Sequence, residues 1–179
     1  QPADDSEIGL ARRALAIADK AFDAMPAGAK QASQVLSVID SSARLDGAEE
    51  VHLKVAPDLA AHAALQRLEG DARLGAQHAI AVSLGYKSVW VRTVRCIAAK
   101  PPASWAAAHA WFEQAALRLD SGNISAGPAT AGLAGRLAAW TVESCVAGAP
   151  LSTIAYGGAT GTHSVRSLPE GALAVLTVQ

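Results

Sequence analysis

The sequence predicts an α+β fold, and two observations support this prediction. In some stretches apolar residues recur at the spacing of three and four that is typical of helices, and in others they alternate with polar residues as in strands. These stretches follow one another as two helices, a strand and a hairpin, and then as two helices followed by strands. This order is typical of helices that cover one face of a curved, mostly antiparallel sheet, and it predicts two pseudo-repeated halves.

The first helix is predicted over residues 6–25. Its apolar stripe consists of Ile8, Ala11, Leu15, Ala18 and Phe22. Ser6 is the expected N-cap, and Pro26 ends the helix. Three further helices are expected over residues 30–45, 103–119 and 129–138. In the third helix, Trp105 and Phe112 are expected in the core.

Alternating apolar residues predict strands over residues 50–56, 139–146 and 172–179. The clearest pair is a hairpin in LGAQHAIAVSLGYKSVWVRTVR, residues 74–95, which continues to about Ala99. A Gly-Tyr-Lys-Ser turn is predicted between its two strands. A Gly-rich stretch, AYGGATGTHS at residues 155–164, is predicted to be a loop.

The composition limits the classes of function. The chain has 179 residues, of which 51% are apolar and 17% charged, and its net charge is −1. A nucleic-acid surface needs clustered Lys and Arg, so this composition argues against such a partner. No apolar run reaches the roughly 18 residues of a membrane span. We therefore expect a single cytoplasmic domain over residues 1–179, with no nucleic-acid or membrane partner.

The two cysteines, Cys96 and Cys145, are isolated in the sequence. Neither belongs to a Cys-x-x-Cys motif or to a cluster of Cys and His. We therefore expect buried thiols in a reducing compartment, with neither a disulfide framework nor a zinc site.

Four segments resemble motifs of the creatinase/methionine aminopeptidase superfamily, which includes the proline aminopeptidases. SEIGLARRALAIADKAFDAM (6–25) is similar to the family's opening helix, and APDLAAH (56–62) is similar to a family segment that ends in His. GYKSVWVRT (85–93) resembles Gly-Tyr-x-Ser-Asp-x-x-Arg-Thr, and LPEGALAVLTVQ (168–179) resembles Leu-x-x-Gly-Met-Val-Leu-Thr-Val-Glu. The resemblance implies the pita-bread fold, and we expect the family's C-terminal strands to be absent from this chain.

The resemblance also implies where the metal ligands of active relatives would fall. Those relatives hold two divalent metals with two Asp, one His and two Glu, and the metals share an activated water. The five positions would be a residue near Ala81 to Ser83, then Val89, Gly158, Gln179 and a residue beyond the end of this chain. None of the side chains present at these positions is a carboxylate or an imidazole, and no Asp or Glu occurs between Asp71 and Glu113. We therefore expect no metal and no cofactor.

His62 occupies the position of the family's functional His. Metal-free creatinase uses the matching His for acid–base chemistry, so the resemblance makes His62 a candidate catalytic residue that moves a proton near neutral pH. The alternative interpretation is a polar loop residue without a catalytic partner.

Five residues are candidates for binding a ligand: Tyr86, Trp90, Arg92, His163 and Gln179. Arg92 could pair with a ligand carboxylate or form a structural ion pair. His163 lies in the Gly-rich stretch, which could bind an anion through backbone N–H groups or form a structural turn. The sequence contains no Gly-x-Ser-x-Gly elbow.

Two functions follow from these residues. The first is a catalytically silent relative of the metallopeptidases that binds a small molecule or short peptide, or acts in assembly as a homodimer or as a subunit of a hetero-complex. The second is a metal-independent hydrolase of creatinase type that acts on a small C–N-containing substrate with His62 as the general base. A carboxylate within hydrogen-bond distance of His62 would favour the second function.

Overall fold

The computed structural model describes residues 3–117, 139–145, 151–158, 161–164 and 172–178. The chain divides into two compact units. The N-terminal unit is chiefly Asp5–Pro101, and the C-terminal unit is chiefly Pro102–Val146 and Pro150–Gln179. Each unit combines helix with antiparallel strands, which confirms the α+β prediction. The single domain over residues 1–179 stays a prediction.

The N-terminal unit contains two helices and a three-stranded antiparallel sheet. Its elements are α1 (Asp5–Asp23), α2 (Ala32–Leu45), β1 (Glu50–Ala56), β2 (Gln77–Tyr86) and β3 (Val89–Ala98). The strands lie in the order β1-β2-β3, so β2 is central. The two helices, the first strand and the hairpin predicted from the sequence are confirmed to within a few residues at each end. Among the described residues, no helix is long and apolar enough to cross a bilayer.

Helix α1 packs on its alanine-rich side. The buried residues of this side are Ala11, Ala14, Ile17, Ala18, Ala21 and Phe22. The predicted stripe is wrong at Leu15, which is 41% exposed. Small alanine side chains let the helix approach its neighbours closely, and Leu15 lies outside that contact. Ser6 lies inside the first turn of α1, so it is not the N-cap.

A two-residue turn connects β2 and β3. Lys87 and Ser88 have φ angles of 47° and 66°, and the residues on either side, Tyr86 and Val89, form the first pair of the ladder. Positive φ at both positions is typical of a type I′ turn, whose twist matches that of the two strands. The predicted Gly-Tyr-Lys-Ser turn is wrong, because Gly85 and Tyr86 are the last residues of β2.

This turn sets a register that runs unbroken from Tyr86–Val89 to Gln77–Ala98. Alternate side chains of a strand point to opposite faces of the sheet. The helix-covered face carries the fully buried core of the sheet, which consists of Val55, Ile80, Val82 and Leu84. We call the opposite face the open face, and it carries Trp90 and Arg92 of β3.

Arg95 joins β3 to α1 on the helix-covered face. Its guanidinium donates to Asp23 Oδ1 at 2.8 Å and to Asp19 Oδ1 at 3.1 Å, and it stacks on the Phe22 ring at 4.8 Å from the ring centre. Partial burial alone would lower the pKa of Arg95, but the hydrogen bonds and charges of the two carboxylates outweigh burial and raise it. These contacts hold the helix against the hairpin.

Asp71 binds the N-terminus of α2 from outside the helix. Its Oδ1 accepts the Ser33 N–H at 2.9 Å, and its Oδ2 accepts the Ser33 hydroxyl at 2.6 Å. Helix α2 has no acidic residue in its own first turn, so Asp71 supplies the negative charge that a helix N-terminus favours. The hydrogen bonds from Ser33 hold the pKa of the Asp71 carboxyl below its usual value.

The C-terminal unit contains one described helix and a four-stranded antiparallel sheet in the order β6-β5-β4-β7. Its elements are α3 (Ala103–Leu117), β4 (Ala139–Cys145), β5 (Ser152–Gly158), β6 (Gly161–Ser164) and β7 (Leu173–Val178). The third helix and the strands predicted at 139–146 and 172–179 are confirmed. The helix predicted at 129–138 lies outside the described residues. Trp105 and Phe112 are half-buried.

Two further predictions are corrected by the structure. The Gly-rich stretch at 155–164 is not a loop, because β5 and β6 pair with each other across it. Tyr156 and Thr162 alternate there with small residues, which favours strands. Cys96 is exposed because the alternation of β3 places it on the open face. The side chain of Cys145 lies outside what the structure describes.

The turn gives the first testable prediction. Ser88→Gly removes a side chain from a residue with positive φ and is expected to raise the free energy of unfolding by about 1 kcal/mol. Ser88→Val is expected to lower it, since a branched side chain tolerates positive φ poorly. Ser41→Gly, the same change in the middle of α2, is the control and should destabilise the protein. Urea unfolding measures the free energy of unfolding of all three variants. A lower value for Ser88→Gly than for the parent would contradict the positive φ of Ser88 in a type I′ turn.

Asp71 gives a pH-dependent prediction. A carboxyl with a lowered folded pKa stabilises the protein above its ordinary value of 3.8, and the effect is lost as the pH falls through the folded pKa. Asp71→Ala should therefore melt at a lower temperature than the parent near neutral pH, and the difference should shrink below pH 3.8. Glu69→Ala, on the same exposed loop, is the control and should leave the melting temperature unchanged. If Asp71→Ala and the parent melted at the same temperature near neutral pH, Asp71 would not stabilise the N-terminus of α2.

Candidate functional site

The open face of the N-terminal sheet collects most of the polar and aromatic side chains of the three strands. Residues directly opposite each other in an antiparallel pair lie on the same face. Three cross-strand rows follow from the register: Glu50–Gly85–Trp90, His52–Ser83–Arg92 and Lys54–Ala81–Val94. The central position of every row is a small residue, over which the side chains of the two neighbouring strands can reach.

The Trp90 indole lies across Gly85. A methyl group added to Gly85 would lie 3.2 and 3.3 Å from two carbons of the Trp90 ring, and 3.6 Å from Glu50 Cβ. Space and not backbone conformation favours glycine here, since its φ is not positive and a side chain would require the Trp90 ring to shift by a few tenths of an ångström. The absence of a side chain at Gly85 lets the ring reach over β2 toward β1.

His52 and Glu50 complete what we call the Trp90 cluster. The His52 and Trp90 rings are 5.3 Å apart and tilted by 60°, and His52 Nε2 lies 3.2 Å from Glu50 Oε2. The side chains of His52 and Glu50 are both 62% exposed, whereas Trp90 is half-buried. The cluster thus combines an aromatic face, an imidazole and an accessible carboxylate.

Arg92 lies two residues further along the same face. Its Nε donates to Ser83 Oγ at 2.8 Å, directly across the ladder. This bond fixes the guanidinium above β2. The two interpretations of Arg92 made from the sequence, a ligand carboxylate or a structural ion pair as its partner, stay predictions.

Tyr86 is separated from Trp90 by the sheet. The alternation places Tyr86 on the helix-covered face at the end of β2, and the Lys87 ammonium lies 5.7 Å from its ring centre. Its ring also lies next to Gly47, where an added methyl group would be 3.5 Å from Tyr86 Cε2. The sequence therefore predicted a ligand site from two aromatic residues that face opposite sides.

His62 lies in an exposed turn after β1. Its N–H donates to the Asp58 carbonyl at 2.9 Å, and its Nδ1 accepts the Ala64 N–H at 3.2 Å. Because Nδ1 accepts, the proton of the neutral ring is on Nε2. His62 therefore presents a donor at its outer nitrogen, and among the described residues no carboxylate lies within hydrogen-bond distance of its ring. A general base needs an outer nitrogen that carries no proton and can accept one from the substrate.

The positions assigned to metal ligands do not come together in this register. Ala81 and Ser83 lie on the open face, whereas Val89 lies on the helix-covered face and is 3% exposed. Val82 shares the face of Val89, but it lies opposite Thr93, about 13 Å along the strand from the Tyr86–Val89 pair. The donor types do not suit a divalent metal either. The described residues contain no group of three or more His, Cys, Asp or Glu that could hold a metal ion.

The remaining candidates belong to the C-terminal unit. His163 lies on β6 opposite Tyr156, and Gly158 is the last residue of β5, opposite Gly161. His163 therefore lies on a strand and not in an anion-binding loop. Gln179 lies outside the described residues, and its assignment stays a prediction.

Sequence reasoning missed Glu50 and His52. The signal was present, since Glu50, His52 and Lys54 alternate with apolar residues along β1. Their proximity to Trp90 depends on the pairing of β1 with β2, which a pattern within one strand does not reveal.

The fold is similar to those of two solved peptidase structures. The X-Pro aminopeptidase from Thermotoga maritima MSB8 matches with a TM-score of 0.60 and 14% identity, over 99% of this chain and 58% of that chain. The dipeptidase PepE from Mycobacterium ulcerans matches with a TM-score of 0.57 and 16% identity, over 93% of this chain and 59% of that chain. The chain has a peptidase-like fold. The resemblance predicted from the sequence motifs is thus confirmed at the level of the fold.

This chain spans 58% and 59% of the length of those two structures. No family model matches the sequence, and no curated protein matches it. The similarity therefore establishes the fold of this chain and leaves its activity to be argued from its own residues.

The packing of Trp90 on Gly85 gives a prediction. Gly85→Ala would push the indole away from β2, so the free energy of unfolding should fall by about 1–3 kcal/mol and the tryptophan emission should shift. Gly9→Ala is the matched control, because an added methyl group there meets nothing within 4 Å. Placed in α1, it should stabilise the protein by about 0.5–1 kcal/mol. Urea unfolding followed by fluorescence measures both, and a neutral Gly85→Ala would show that the ring does not lie there.

Proposed function

We propose that this protein is a binding protein built on a peptidase-like fold, and that it captures the amino end of a short peptide on the open face of its N-terminal sheet. We further infer that the two units are the pseudo-repeated halves of one pita-bread domain. The alignment with the X-Pro aminopeptidase structure over 99% of this chain supports the second inference.

The Trp90 cluster carries the proposal. A protonated amino group is attracted to the face of an indole and to a carboxylate, and Trp90 and Glu50 lie at the two ends of one cross-strand row on the same face. Glu50 is 62% exposed and accessible to a ligand. A small molecule with an amino group offers the same chemistry, and a short peptide is favoured because both structural neighbours are peptidases by name.

The rest of the peptide would lie across the side chains above β2. The Trp90 indole covers Gly85, and Ser83 holds the Arg92 guanidinium through its hydroxyl. Trp90 and Arg92 are two residues apart on β3, which corresponds to about 7 Å along the strand. A dipeptide spans about the same length. This match supports a ligand of two residues.

The proposed binding protein does not hydrolyse the peptide it binds. Near the positions where active relatives carry carboxylates, the open face offers Ala81 and Ser83, and the helix-covered face offers Val89. His62 offers a donor at Nε2, which suits contact with a carbonyl oxygen better than removal of a proton.

A binding titration tests the proposal. The dipeptide Ala-Pro is expected to change the tryptophan fluorescence of the protein, and N-acetyl-Ala-Pro, which lacks the positive charge, should bind about 3- to 30-fold more weakly. Glu50→Gln and Trp90→Leu should each weaken binding of Ala-Pro by a similar factor. Glu69→Gln removes the same charge from a loop of the same unit and is the control that should leave binding unchanged.

The outcomes of this titration separate the two functions considered. Equal binding of the free and the acetylated dipeptide would contradict the role of the Trp90 cluster. Release of free proline from Ala-Pro, measured with and without added Mn²⁺, would contradict the proposal that the protein binds the peptide without hydrolysing it. Release that disappears in His62→Gln would instead support the hydrolase.

A further inference from the structure

His52 lies between groups of opposite charge on the open face. Glu50 is two residues before it on β1, and Lys54 is two residues after it. Across the sheet, the row of His52 ends at Arg92 of β3. Histidine is the side chain that ordinarily gains or loses a proton between about pH 5 and 8. A change in its protonation would therefore change the charge of this face near neutral pH.

The contact between His52 and Glu50 determines which ring nitrogen carries the proton of the neutral imidazole. His52 Nε2 lies 3.2 Å from Glu50 Oε2, and an ionised carboxylate can only accept hydrogen bonds. Nε2 therefore carries the proton and donates it to Glu50. A second proton is added at Nδ1, so the hydrogen bond is kept and becomes charge-assisted.

A charge on His52 also acts on Trp90. The centres of the two rings are 5.3 Å apart, and the ring planes are tilted by 60°. A cation within about 6 Å of the centre of an indole is attracted to the electron-rich face of that ring. Protonated His52 is thus attracted to Glu50 and to Trp90, the two groups that the proposed function assigns to the amino end of a peptide.

We propose that His52 is a positioning residue of this amino-end site. As a neutral donor it holds the Glu50 carboxylate beside Trp90, and as an imidazolium it takes the place of the ammonium group of the ligand. This inference rests on the proposed function. The neutral cluster carries the negative charge of Glu50, whereas the protonated cluster has no net charge. The affinity for an amino end should therefore fall as the pH falls through the range in which histidine titrates.

The other charged and titratable groups on the open face come from two of the three strands. β1 contributes Glu50 and Lys54, β3 contributes Arg92 and Cys96, and β2 contributes no titratable side chain to this face. Lysine and arginine keep their charges below pH 8, and carboxylates lose theirs only near pH 4. Burial raises the pKa of the Cys96 thiol, so it stays neutral. Of these groups, His52 is the one expected to change its charge between about pH 5 and 8.

The peptide itself titrates on the alkaline side. The amino group of a free peptide loses its proton near pH 8, which removes its attraction to Glu50 and Trp90. Binding of a free amino end should therefore be strongest near pH 7 and weaken on both sides. An acetylated peptide has no amino group, so neither change in protonation should weaken its binding.

The first test compares affinities at about pH 7 and about pH 5.5, where the amino group of the peptide keeps its proton. Ala-Pro is expected to bind the parent about 3- to 10-fold more weakly at the lower pH, whereas N-acetyl-Ala-Pro should bind no more weakly. In His52→Gln the amide can still donate to Glu50 but does not titrate, so the ratio of the two affinities for Ala-Pro should fall to about one. His109→Gln is the matched control, because it removes a histidine that lies 3.8 Å from Glu113 on α3. It should keep the ratio of the parent.

The outcomes distinguish this inference from the proposed function. Ala-Pro could bind more tightly than N-acetyl-Ala-Pro near pH 7 and yet bind equally well at both pH values. That result, or a His52→Gln variant that keeps the ratio of the parent, would overturn the role of His52 and leave the amino-end site standing. Equal binding of the two peptides near pH 7 would overturn the proposed function and this inference with it.

The second test uses the protein without peptide. The emission of Trp90 is expected to change between about pH 8 and pH 5, since His52 becomes charged beside it in this range. Subtracting the emission of Trp90→Leu isolates this ring from the other tryptophans of the chain. His52→Gln should abolish the change. No change in the parent, or the same change in His52→Gln, would show that His52 does not take up a proton beside Trp90 and would overturn the inference.

Discussion

The two-residue turn at Lys87 and Ser88 is the constraint on which the rest of the N-terminal unit depends. Side chains of a strand alternate with a period of two, so a shift of one residue would exchange the faces of the whole hairpin. The observed register places Val82 and Leu84 under the helices and Trp90 on the open face. It also decides which N–H groups of β3 point outward. The buried core of the sheet, the position of the Trp90 cluster and the outward groups of β3 thus all follow from the geometry of this turn.

The helices stabilise this register from one side only. Arg95 reaches α1 through two aspartates and the Phe22 ring, and it could do so only from the helix-covered face. Asp71 holds the start of α2 through Ser33, which fixes the second helix over β1. The open face carries most of the polar and aromatic residues of the three strands.

The sequence predicted where the helices and strands lie better than it predicted which of their side chains share a face. Alternation located β1 and the hairpin because half-buried strands repeat with a period of two, and the family motifs pointed to a peptidase-like fold, which the two solved structures support. The sequence predicted the wrong turn, because Gly85 resembles a turn residue although its role is to make room for Trp90. It failed at Leu15 because the contacts of α1 favour its alanines. The Trp90 cluster could not be predicted, since Glu50 and Trp90 are brought together by pairing between strands that are distant in sequence.

Hydrogen exchange along β3 tests the register most directly. At a concentration where the chain is monomeric, the amides of Val91, Thr93 and Arg95 are expected to exchange slowly because they bond to β2. Those of Trp90 and Val94, which do not bond to β2, should exchange faster, which gives an alternation with a period of two. Slow exchange at the second set and fast exchange at the first, or equal rates throughout the strand, would show that the turn does not set the register and that the two faces have been assigned incorrectly.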